Sequence, residues 1–214
     1  MLLLLSGSSG AGKTYAMPYI KALLPDASIR DSDEFGIPTD KPGRQERLEN
    51  CVKEAIRLQN MNTSLVLCCQ SPFGELLACP SAHELDHMAC CVIDCNDHIR
   101  IERLNSRGDN CGTMDMLSWA SWHRMHAIDP QWRQDVIRDN SWDQMCWHNW
   151  TSWLQGDQRW KVDIIDTSFL TGEDVAERIV DIVKTNPTNP LKQEVPNQSM
   201  EATRDTRTGD FEQD

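Results

Sequence analysis

The sequence predicts an α/β fold, a five-stranded parallel sheet covered by helices on both faces in three αβα layers, with a tryptophan-rich helical insertion. Three observations carry this. Short apolar runs recur along the chain with helical-period segments between them, the order that builds a parallel sheet. Two of the runs are apolar throughout instead of alternating, as strands buried on both faces must be. The first run opens through a glycine-rich turn directly onto a helix.

In chain order, the leucines at 2–5 make the first strand, and 13–24 a helix closed by Pro25. Residues 28–30 make a short second strand that ends at Asp31-Ser32-Asp33. Pro38, Pro42 and Gly43 mark a turn before a helix over 44–59, where Leu48, Val52, Ala55, Ile56 and Gln59 follow the 3.6-residue period. The apolar runs 64–69 and 89–94 are the third and fourth strands, and a charged helix follows over 97–107. Residues 163–166 supply the fifth strand and 172–184 the closing helix.

All eight tryptophans fall between Trp119 and Trp160. That clustering marks 111–160 as an insertion in one domain of residues 1–185, whose core is 1–110 and 161–185. On a helical reading, Trp142, Cys146, Trp150 and Trp153 share a face. The rings are either the insertion's own small core or a lid that covers a substrate. From 186 to 214 the chain turns polar and proline-punctuated, and it is predicted to be disordered because it cannot bury enough apolar surface.

A net charge of −12 with a pI near 4.9 argues against a nucleic-acid binder, which needs a basic face. Nine cysteines, two pairs of them adjacent within apolar runs and none in Cys-x-x-Cys spacing, read as small buried hydrophobes of a cytoplasmic protein. The opening leucines run straight into a glycine loop with no basic segment before them, so they read as a strand and not a secretion signal. No apolar stretch is long enough to cross a membrane. His83 with His87 and His123 with His126 have helical spacing, but no cysteine or acidic partner stands where a zinc site would need it.

The chemistry starts at Gly7-Ser8-Ser9-Gly10-Ala11-Gly12-Lys13-Thr14, which satisfies G-x-x-x-x-G-K-[ST] between an apolar strand and a helix. Glycines let backbone N–H groups close on phosphate oxygens at the positive end of the helix. Lys13 brings a point charge to the β- and γ-phosphates, and the Thr14 hydroxyl reaches Mg²⁺. ATP with Mg²⁺ is the expected ligand. Asp31 and Asp33 follow the second strand at the end where such sheets bind ligands, and extended backbone would point both at one site. One carboxylate would take the proton of an acceptor hydroxyl, favoured as Asp33, while the other, Asp31, holds Mg²⁺ or the acceptor.

The phosphate loop, the Asp31-Ser32-Asp33 corner, the helix ending Arg103-Leu-Asn-Ser-Arg107-Gly108 and the late strand Ile164-Ile165-Asp166-Thr167-Ser168 together resemble the small P-loop kinases. Shikimate kinase, gluconate kinase, chloramphenicol phosphotransferase and the nucleoside monophosphate kinases belong to that group. The resemblance covers about 1–110 and 161–184. It implies a five-stranded parallel sheet, a small-molecule acceptor, and lid-side arginines, here Arg103 and Arg107, that reach the transferring phosphate. It also implies an adenine site near the loop from Asp166 to Phe169. The third strand ends in Gln70-Ser71-Pro72 where an acidic residue is usual, which leaves Asp94 as a rival to Asp31 and Asp33 for Mg²⁺. Gln70, Ser71 and Glu75 stand at the rim expected for the acceptor, and Arg44 and Arg47 could hold an anionic group on it. The competing expectations are a nucleoside or nucleotide kinase, and a nucleotide-dependent switch whose aromatic insertion grips a protein.

Overall fold

The computed structural model describes residues 1–108, 111–185 and 187–193. Its regular elements are β1 (Leu2–Ser6), α1 (Lys13–Leu23), β2 (Ser28–Asp31), α2 (Lys41–Gln59), β3 (Leu65–Cys68), α3 (Phe73–Ala78), β4 (Met88–Asp94), α4 (Asp97–Ser106), α5 (Met114–Ile128), α6 (Asp135–Arg138), β5 (Val162–Asp166) and α7 (Gly172–Lys184). The five strands form one all-parallel sheet in the order β2-β3-β1-β4-β5.

Strand alternation sorts the core into two layers. Leu2 and Leu4 of β1 point to the side of α2 and α3, and Leu3 and Leu5 to the side of α1 and α7. All four are fully buried, at about 1.5–3 kcal/mol each. Seven cysteines (51, 68, 69, 79, 90, 91 and 95) are buried, all but Cys95 within these two apolar layers. Among the described residues, no helix is long and apolar enough to cross a membrane.

α2 begins at Lys41, three residues before the expected start. Asp40 caps it by accepting from the Gly43 N–H at 2.8 Å, and Pro42 sits in the first turn, where a missing N–H costs nothing. The tryptophan segment also differs from expectation. Residues 142–153 do not form one helix: a turn through Asn140, at φ 50, precedes them, and a single 3-10 turn, Trp147–Asn149, lies within them.

Trp150 is fully buried, and it, Trp153 and Trp160 join the same apolar cluster as Leu2, Leu4, Leu76 and Leu77. Trp119 stacks on Trp122 at 5.0 Å, and Trp122 on His126 at 4.6 Å. The segment therefore completes the layer over the α2 and α3 face of the sheet. It is continuous with the domain core and is not a core of its own.

Residues 187–193 also depart from the expected disorder. Thr188 bridges His87, and buried Asn189 donates from Nδ2 to the carbonyls of Ala82 and Leu85 at 2.9 and 2.7 Å. One amide thus satisfies the loop ahead of β4 and ties this segment down. Residue 186 and residues 194–214, which the expectation also covered, lie outside the described residues.

Candidate active site

The sheet order reverses about β1, with β3 on one side and β4 on the other, so a crevice opens at the carboxyl ends of these strands. The 7–14 loop fills its floor. Gly7 sits at φ 131 with no room for a side chain, since a Cβ would lie 2.2 Å from the Ile93 carbonyl oxygen. Gly12 caps α1 in the left-handed region at φ 97 without any side-chain bond. The first-turn N–H groups of α1 have no acceptor within the helix, an arrangement that favours an anion.

Lys13 reaches back along the loop, its Nζ donating to the carbonyls of Gly7 at 2.6 Å and Ser8 at 3.0 Å. Burial holds its ammonium below the ordinary lysine pKa, with Cys68, Cys69 and Asp31 acting the other way. The Thr14 hydroxyl donates to Asp31 Oδ2 at 3.4 Å, so the two expected Mg²⁺ ligands are neighbours. Both present oxygen, the donor that Mg²⁺ prefers.

The acidic corner is not extended as expected. Asp31 Oδ1 accepts from the Asp33 N–H at 3.0 Å, and Glu34 Oε1 from the Asp31 N–H at 3.0 Å. This capping box turns Ser32–Phe35 into a 3-10 helix. Asp31 and Asp33 still line one cavity, of about 150 Å³, together with Ser9, Gly10, Ala11, Gly12, Lys13, Thr14, Arg47, Gln70 and Arg107. Asp33 Oδ1 also accepts from Arg47 Nη1 at 2.7 Å.

A second opening of about 420 Å³ lies across the loop, lined by Gly10, Gly12, Tyr15, Arg103, Arg107, Thr167 and Leu170 among others. Arg103 fixes its wall by donating to Thr167 Oγ1 at 3.0 Å and to the Thr167 carbonyl at 2.9 Å. Arg107 borders both cavities and makes no ion pair with any described residue. Gly7 and Ser8, at the start of the loop, line neither opening.

What holds Ser8 escaped the sequence reading. Arg100 is fully buried under the loop, donating from Nη1 to Ser8 Oγ at 2.6 Å and to the Ser9 carbonyl at 2.7 Å, and from Nη2 to Asp94. Arg124 of α5 takes the other Asp94 oxygen at 3.0 Å. Asp94, the rival for Mg²⁺, is thus committed to two guanidiniums. A helical-face reading of α4 carries a signal for Arg100, which shares the inward face with Leu104 one turn on, while Arg103 and Arg107 share the next face.

A second buried group borders the site. Glu75 is fully buried, and its Oε1 accepts from Arg44 Nη2 and from Gln45 Nε2, the latter at 2.9 Å. The Arg44 guanidinium lies 5.1 Å from the Trp119 ring, which also stacks on Trp122. His123 sets Nδ1 3.4 Å from Ser6 Oγ, whose own proton goes to the Ser71 carbonyl at 2.6 Å. Burial, then the charge of Lys13, keeps His123 well below the usual imidazole pKa and hence neutral.

No protein-family model matches the chain, and no curated protein is similar to it in sequence. Solved structures do superpose. A sugar kinase from Janibacter sp. overlays at a TM-score of 0.56 with 14% identity, over 87% of this chain and 98% of that one. Shikimate kinase from Acinetobacter baumannii (16% identity, 86% of this chain and 93% of that one) and a gluconokinase from Sinorhizobium meliloti (13%, 86% and 92%) overlay at a TM-score of 0.48, too low to carry weight. With its five parallel strands, flanking helices and loop between β1 and α1, the chain has the fold of the small P-loop kinases.

Proposed function

We propose that this chain is an ATP-dependent phosphotransferase that acts on a hydroxyl of a small polar molecule, a metabolite or an antibiotic-like compound. One observation carries the reading: the loop, Lys13, Thr14, Asp31, Asp33 and Arg107 converge on a single cavity of about 150 Å³. Phosphoryl transfer asks a protein mainly for positioning and charge, and these side chains supply both.

The triphosphate would lie on the N–H groups of 9–14, with its β- and γ-phosphates against Lys13 and its base in the opening walled by Arg103 and Thr167. Mg²⁺ held by Thr14 and Asp31 would draw charge from the phosphate oxygens. Asp33 accepts the acceptor's hydroxyl proton as that oxygen bonds to the γ-phosphorus and the bond to the β–γ bridging oxygen breaks, releasing ADP. The Arg47 contact occupies Asp33 Oδ1 and leaves Oδ2 to receive the proton. Arg107, without an ion pair among the described residues, suits the charge on the equatorial oxygens. A switch that grips a partner through its tryptophans finds less support, because Trp150, Trp153 and Trp160 are buried in the domain core.

A coupled assay for ADP release across a broad panel of hydroxyl compounds tests the reading. It expects release that depends on one compound or a few related ones. Hydrolysis at the same rate with and without every compound would contradict it.

A further inference from the structure

We infer that the acceptor is uncharged or cationic where it enters the site, and is not a carboxylate or phosphate. The inference deepens the phosphotransferase reading and rests on it. It comes from how the charges beside the cavity are already spent.

On that reading the acceptor's place is the part of the cavity lined by Asp33, Arg47 and Gln70. Arg47 stands there, and Arg44 lies one turn earlier on α2 without lining the cavity. Arg47, itself nearly buried, is paired with Asp33 at 2.7 Å and bonds the Gly36 carbonyl at 3.0 Å. Arg44 is paired with Glu75, a carboxylate with no exposed surface. Gln45 locks that pair, its Nε2 donating to Glu75 Oε1 and to the Ile137 carbonyl, both at 2.9 Å, while its Oε1 accepts from the Trp142 N–H at 2.8 Å. His123, nearby, is neutral.

An anionic acceptor would have to draw Arg44 off Glu75 and strand that carboxylate in the core. It would also stand beside an anionic nucleotide whose γ-phosphate, in the proposed transfer, already engages Arg107. Lys13 and Arg107, which line the same cavity, have no ion pair among the described residues, and the proposed transfer assigns both to the phosphates. A polyol or amino-polyol meets neither obstacle. Glu75 Oε2 and His123 Nε2 are buried and without hydrogen-bond partners among the described residues.

The test uses the full chain and matched acceptors: glucose, glucosamine, myo-inositol and glycerol against gluconate, glucuronate and glycerate. MgATP binding is measured separately by calorimetry. We expect transfer to one or more neutral or aminated members, with kcat/KM at least about tenfold above that of the matching acid. A best acceptor among the acids would overturn the inference and leave the phosphotransferase reading standing. MgATP binding with transfer to no member counts against both, and absence of MgATP binding removes the reading itself. Glu75→Gln, checked for folding by circular dichroism, frees Arg44 and should raise the acid-to-neutral ratio of kcat/KM about tenfold. An unchanged ratio in a folded variant would also overturn the inference.

Discussion

Arg100 shows how much of a phosphate loop's shape is set from below. Its fork holds Ser8, the Ser9 carbonyl and Asp94 at once, and a lysine cannot span these partners from one point charge. Arg100→Lys is expected to lower unfolding free energy by about 3 kcal/mol and to weaken MgATP binding, because a buried partner is left unpaired. Chemical denaturation and calorimetry check the two effects. At the reacting end, Asp33→Asn should lower kcat about a hundredfold or more while leaving the Kd for MgATP nearly unchanged, as a lost base would. Equal losses in both would reassign Asp33 to nucleotide binding. The sequence made the loop and the Asp31–Asp33 corner legible because each is a local string with its own chemistry. Arg100 with Ser8, and Glu75 with Arg44, are pairs distant in sequence, and only the packed fold brings them together.

Among the elements, the tryptophan segment is where sequence pattern misled most. Hydrophobic period presumes a regular helix, whereas turns and a single 3-10 turn place these rings one by one. Trp150 packs at 5.2 Å from Trp160 inside the main core. Trp150→Ala should therefore cost about 3–5 kcal/mol of stability, measured by urea unfolding, where a free lid would cost almost nothing.

The same layer carries an acid sensitivity. His126, boxed by Trp122, Trp150 and Trp160, is pushed by burial from 6.5 to about 3, and His123 is lowered in the same direction. Both rings stay neutral in the folded chain at pH values where the unfolded chain protonates them. Their effect is absent above about pH 6.5, and stability falls as pH drops from there toward 3, by up to about 1.4 kcal/mol per pH unit for each ring. Melting temperatures between pH 7.5 and 5 should decline accordingly, and His126→Phe should flatten the decline by roughly half.

At the scale of the whole molecule, the strand and helix order was legible because doubly covered strands announce themselves as unbroken apolar runs, here β3 and β4. Helix starts were less so: α2 opens at a cap and a proline that also read as a turn. The fold places one loop at the reversal of strand order and surrounds it with Lys13, Thr14, Asp31 and Arg107, and the account rests on that loop being a triphosphate site. Calorimetric titration of the intact chain with ATP and Mg²⁺, beside Lys13→Ala verified as folded, tests this most directly. Saturable heat is expected with the wild-type chain, and its loss in the variant. No heat with any common nucleoside triphosphate, or equal heat in both proteins, would contradict it.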